Sequence, residues 1–130
     1  MNYFLFPSMV AAFCYATDRK NVGDCEEADT MKKAICVLNS EPGQVAKGVV
    51  NFEQENEYAK THVIGKFVNL SPNQMHGFHI HKLGNLTKGC MTAGPHYNPH
   101  GHEHGGPYSA VRHIGDLGNV FADSKGNGTI

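Results

Sequence analysis

The chain has 130 residues, with 11 basic against 12 acidic side chains and a formal net charge of −1, which suits a single domain and argues against a nucleic-acid partner. Hydrophobic residues make up 40%, adequate for a small β core, and 15 glycines without any tryptophan point to many tight turns. Four cysteines at positions 14, 25, 36 and 90 contain no C-x-x-C pair, which excludes a zinc finger or a thioredoxin-like redox motif.

In chain order, Phe4 to Ala16 is apolar but interrupted by Pro7 and Ser8, and is far too short to span a bilayer, so no membrane partner is expected. Small residues around Cys14-Tyr15-Ala16 would suit signal cleavage, but Met1-Asn2-Tyr3 lacks the basic start of a secretory signal. An acidic stretch from Asp24 to Asp29 reads as a linker, and Met31 as a natural start. Residues 1–30 are therefore expected to be an N-terminal extension, unstructured or serving as signal or linker, ahead of a domain over 31–130. The expected location is cytoplasmic, with secretion as the alternative if residues 1–16 are a signal. Only in a secreted protein would the N-x-[ST] triplets at Asn69, Asn85 and Asn127 matter.

From Lys33 onward the pattern is one of short strands and turns. Strands are predicted over Lys33–Asn39, Val45–Gln54, His62–Leu70, Met75–Lys82 and Leu117–Asp123, with turns at Ser40–Gly43 and Ser71–Asn73. Cys36, inside the apolar run Ala34–Leu38, is expected to be a buried thiol acting as a small hydrophobe. Leu83 to His113 is a long stretch dense in Gly, Pro and His, and a loop of that length is either functional or disordered. Gly126-Asn127-Gly128 suits a hairpin turn, after which only Thr129 and Ile130 remain. Short antiparallel strands around one long loop predict an all-β sandwich or barrel.

The most informative segment is Gly77-Phe78-His79-Ile80-His81. Strand side chains alternate between faces, so His79 and His81 project together while Phe78 and Ile80 point into a core. Between His79 and His113 lie seven histidines in 35 residues, and Asp116 follows three residues later. Isolated histidines usually make a solvated surface, but this density and phasing favour a metal site. His79 and His81 can share one ion. His96, His104, His113 and Asp116 form a sensible tetrahedral zinc set with no open position, able to pin a loop that could not fold alone. His76 is read as sharing the face of His79 and His81, as a ligand or as a donor orienting an imidazole. His100 and His102 are read as solvated loop residues, with adventitious metal binding as the alternative.

These residues stand in motifs that closely resemble copper/zinc superoxide dismutases: His76-Gly77-Phe78-His79-Ile80-His81, Gly89–Pro99, His104-Gly105-Gly106-Pro107 and Arg112–Val120. The resemblance covers roughly Lys33 to Ile130. It implies a Greek-key β-barrel or flattened sandwich. It implies copper and zinc as cofactors, with His79 and His81 as copper ligands, His96 as the imidazolate bridging the two metals, and His104, His113 and Asp116 completing the zinc site. The implied activity is antioxidant: disproportionation of superoxide to O₂ and H₂O₂, with His96 passing a proton to the nascent peroxide. A homodimer and a copper chaperone are the implied partners, and Cys90 resembles the first half of the family's intrasubunit disulfide.

The family's fourth copper histidine, its guiding arginine and the second disulfide cysteine have no counterpart among the 130 residues. The resemblance thus leads to the expectation of a C-terminally incomplete member with strands missing, itself poorly active and prone to aggregate. The alternatives are a non-catalytic metal-binding protein and the dismutase-like domain of a copper chaperone.

Overall fold

A computed structural model describes residues 3–5 and 10–18 as backbone and residues 31–40 and 43–130 in full. Among them the chain is all-β: β1 (Tyr3–Leu5), β2 (Val10–Asp18), β3 (Lys32–Ser40), β4 (Lys47–Gln54), β5 (His62–Val68), β6 (Met75–His81), β7 (Thr87–Cys90), β8 (Asp116–Phe121) and β9 (Gly128–Thr129), with a 3-10 turn at Met91–Ala93. The strands form two sheets, β1-β6-β8 and β2-β3-β4-β5-β9, rather than one closed barrel. Every named pair is antiparallel. No helix among the described residues is long and apolar enough to cross a membrane.

Alternation dictates which side chains meet between the sheets. In β3, Cys36 and Leu38 are buried while Ile35 and Val37 face outward, the period of two of a strand with one covered face. Cys36, Leu38, Val50 and Phe67 from the larger sheet share one core with Phe78 and Val120 from the smaller. Phe67 and Phe78 meet edge to face across the interface, ring centroids 6.0 Å apart at 70°, an arrangement aromatic rings prefer to direct stacking.

Strand ends follow local chemistry. β5 stops at Val68, short of the expected Leu70, because Asn69 takes a left-handed φ of 58°. The turn after β8 closes as expected through Asp123 N–H to the Asn127 carbonyl at 2.8 Å, with Gly126 at φ 78°. The strand beyond it, however, does not return along β8. β9 pairs with β5, Lys66 opposite Thr129, so the turn carries the chain from one sheet to the other.

Two stretches of the segment read as an extension take part in the sheets. β2 runs along β3 in unbroken register from Val10↔Ser40 to Asp18↔Lys32, and β1 lies along β6. Both cover strand edges that would otherwise present unpaired backbone groups. Cys25, the acidic stretch 24–29 and the Pro7-Ser8 interruption lie outside the described residues, as do two positions of the turn at 40–43. Cys36 is disulfide-bonded, which corrects its reading as a thiol. The residue directly across from it in the β2–β3 register is Cys14, and such cross-strand positions have the Cα spacing a disulfide needs.

Candidate metal centre

β6 sets the site. Phe78 turns inward and is buried, so His79 and His81 stand on the opposite face of the small sheet, outside the core. His76 does not join them, contrary to expectation. It is buried on the Phe78 side, and its Nε2–H donates to the Ser71 carbonyl at 3.0 Å. The period of two places residue 76 with residue 78, so this burial is what strand geometry requires.

The long stretch after β6 folds back over this outer face. Lys82 and Leu83 donate to the carbonyls of Pro95 and Ala93 at 2.8 and 2.9 Å, and His81 and His96 form an isolated antiparallel bridge. Three segments then close a ring of main-chain bonds. Ile80 donates to Gly115 at 2.8 Å, Gly115 to Tyr97 at 2.8 Å, and Tyr97 to Ile80 at 2.7 Å. Gly115 is required there, because a Cβ would collide with the Ile80 carbonyl. The ring brings His96 and Asp116 beside His79 and His81. The expected loop is thus ordered in part by short elements of its own, β7 and the 3-10 turn; Cys90 ends β7 and is half-buried.

Asp116 is the focus. Its side chain is 1% exposed, and three imidazoles reach it through the same ring atom. Nδ1 lies 2.8 Å away for His96, 3.0 Å for His104 and 3.3 Å for His113. The backbone N–H groups of Gly105 and His113 donate to Oδ2 at 3.1 and 3.0 Å. Burial pushes the Asp116 pKa up. The two amides and the His96 ring outweigh it and hold the carboxyl far below the usual carboxylate range, so the group is ionised at neutral pH.

His79 stacks on His96 with centroids 4.0 Å apart at 18°, and one ligand atom each from His79, His96, His104 and Asp116 lies within 4.8 Å of the others. Burial, then the neighbouring His96, pushes the His79 pKa down to about 4. His81 is lowered by burial first, with His96 adding to it against the opposing Gly94 carbonyl. Both rings are therefore neutral at pH 7, the form that binds metal. His81 Nδ1 lies 2.6 Å from the Gly94 carbonyl, which can only accept. The proton is therefore on Nδ1, and Nε2 keeps its lone pair. Its ring is 5.0 Å from that of His96.

Apart from His76, the residues singled out as ligands in the sequence thus gather at one place: His79, His81, His96, His104, His113 and Asp116. His100 and His102 stand apart on the exposed loop, and His62 is on β5 in the other sheet. Arg112 was not read as part of the site. Its Nη1 donates to the carbonyls of Asp116 and His113 at 2.9 and 3.3 Å, fixing the backbone of two cluster members. The signal for it was its position beside His113. Imidazole nitrogens around one anionic oxygen donor suit zinc or copper and not the all-oxygen preference of calcium or magnesium.

Comparison with known proteins agrees with this donor set. Residues 46–130 match the family model described as copper/zinc superoxide dismutase. A superoxide dismutase [Cu-Zn] of Cordyceps militaris is 52% identical over 97 residues, covering 75% of this chain and 62% of that protein. One of Neurospora crassa is 47% identical over the same shares, and superoxide dismutase [Cu-Zn] 4 of Dictyostelium discoideum is 51% identical over 90 residues, 69% of this chain and 57% of its own. The chain thus spans about 62% of the length of the first two relatives. With well over half of its residues inside the family match, and the motif histidines gathered at one site, the chain belongs to the copper/zinc superoxide dismutase family.

Proposed function

We infer that the protein is an oxidoreductase that disproportionates superoxide to O₂ and H₂O₂. In this reading His79, His81 and His96 hold copper, and His96, His104, His113 and Asp116 hold zinc. The observation that supports it is the central place of His96 among the other five residues. Its Nδ1 faces the ionised Asp116 at 2.8 Å, and the rings of His79 and His81 lie 4.0 and 5.0 Å from its own. Copper, when bound, supplies the one-electron redox chemistry that side chains and zinc lack.

The chain's own residues do the rest. Asp116 contributes the negative charge that gathers three Nδ1 atoms, and the Gly105 and His113 amides keep it ionised although it is buried. His81 is held in one tautomer by the Gly94 carbonyl, so Nε2 is ready as a donor without reorganisation. His96 can hold a proton at Nε2 and release it to a reduced oxygen species, the general-acid role an imidazole serves in catalysis. The anionic substrate meets a half-covered face of the small sheet, with His104 on its exposed side.

As partner, a second copy of the chain is inferred. Val37 stands opposite Val49 on the outer face of the larger sheet, flanked by Ile35 and Ile64, and all four are exposed. Sedimentation velocity showing only monomer at micromolar concentrations would remove that part.

The test of function is superoxide decay with the copper- and zinc-loaded chain, in excess EDTA to silence free copper. Loaded protein should accelerate decay. His79→Ala and His81→Ala should abolish the acceleration while zinc content stays. A fully loaded wild type that leaves the decay unchanged would overturn the reading.

A further inference from the structure

We propose that His100 and His102 form a second, weaker site for a borderline divalent cation such as Zn²⁺ or Cu²⁺, separate from the centre around Asp116. Their rings are 5.7 Å apart between centroids, tilted by 38°, and both residues are exposed. A metal–nitrogen bond of about 2.0–2.1 Å puts a ring centroid roughly 3.2 Å from the ion, so two imidazoles on one ion stand up to about 6.4 Å apart. The observed separation lies within that reach.

The pairing is built into the loop. Asn98 brackets the His102 backbone from both sides: its Oδ1 accepts from the His102 N–H at 3.0 Å, and its Nδ2 donates to the His102 carbonyl at 2.7 Å. Gly101, between the two histidines, takes a φ of 66°, and a Cβ there would meet nothing within 4 Å, so the reversal is set by the backbone and not by crowding. A turn held at its base with one imidazole on each arm is a bidentate chelate in an open position. Water can complete the coordination, and the adjacent Glu103 adds negative charge to the rim. None of the six residues of the centre is needed, so the site does not depend on the superoxide reading.

The probe is Zn²⁺ alone, by equilibrium dialysis with elemental analysis, on the wild type and on His100→Gln and His102→Gln. The wild type should take up one equivalent beyond those held tightly at the centre. Each single variant should weaken that last equivalent at least tenfold while leaving the tight equivalents in place. Exposure of both rings means neither change should affect folding, which circular dichroism checks. A wild type without the additional equivalent, variants that keep it unchanged, or variants that lose the tight equivalents instead would each overturn the proposal.

Discussion

Arg112 and Asp116 meet through the main chain: the guanidinium Nη1 donates to the Asp116 carbonyl at 2.9 Å while the Asp116 carboxylate, facing the other way, receives the imidazoles of His96, His104 and His113. The same nitrogen reaches the His113 carbonyl at 3.3 Å, so one cation steadies two of the four residues inferred to hold zinc. Partners of this kind orient ligands, and losing one typically costs about 10–100-fold in metal affinity. Arg112→Met, which keeps most of the apolar stem, should weaken zinc binding by about that factor in a chelator competition. Unchanged zinc affinity would show that Arg112 is not a positioning residue.

Gly115 governs how the long loop seats on β6. Its N–H and carbonyl bind Tyr97 and Ile80, each at 2.8 Å, and a Cβ would press on the Ile80 carbonyl and come within 2.9 Å of the Tyr97 nitrogen. Backbone cannot give way as a flexible side chain can. Gly115→Ala should therefore destabilise the fold by about 1–3 kcal/mol, as forced overpacking does. It should also remove hydrogen-exchange protection from Tyr97 and Ile80. Protection like that of the wild type at both amides would contradict the three-way ring.

What the sequence made legible follows from what is local. The alternation of Phe78, His79, Ile80 and His81 reads directly as a core face and a ligand face, and β6 has both. Strand periodicity also located β3 to β5 to within a few residues. His76 was misassigned because it lies an odd number of positions from both histidines it was grouped with, and the pattern itself placed it with Phe78. The destination of β9 was illegible for a different reason: Gly126 marks a turn, but nothing local says that the following residues pair with β5 across the sandwich and not with β8. The convergence of His96 with Asp116 likewise depends on a non-local backbone ring at Gly115: ligand chemistry grouped the two residues, but nothing local says how the loop brings them together.

His79 offers a pH test of the metal-free protein. Its pKa is pushed down from 6.5 to about 4, first by burial and then by His96. An unfolded chain protonates this ring near 6.5, whereas the folded chain resists until near 4. Between those values the unfolded state binds more protons, so the His79 contribution favours unfolding progressively as the pH falls from 6.5 to 4. Above 6.5 both states are neutral and the contribution vanishes. His79→Gln should flatten this part of the stability profile, measured by urea unfolding across that window. An NMR titration of the His79 ring with a midpoint near 6.5 would refute the assignment.

Asp123 gives the opposite case, at the turn that carries the chain between the sheets. Its Oδ1 accepts from the Lys125 and Asn127 N–H groups, each at 2.8 Å, and its own N–H donates to the Asn127 carbonyl. The Asn127 amide, then that of Lys125, lowers its pKa below the ordinary 3.8. A depressed carboxylate stabilises the fold above its unfolded pKa, and the contribution is lost as the pH falls through the lower folded value. The side chain is open to water, so the effect should appear as local loosening and not as global unfolding. Below pH 3.8 the Lys125 and Asn127 amides should exchange faster, and the β9 pairing with β5 should fray with them. Asp123→Ala should produce the same loosening at pH 7 and remove its acid dependence. Amide exchange at Lys125 and Asn127 that is equal in the two proteins at pH 7 would show that the carboxylate does not hold the turn.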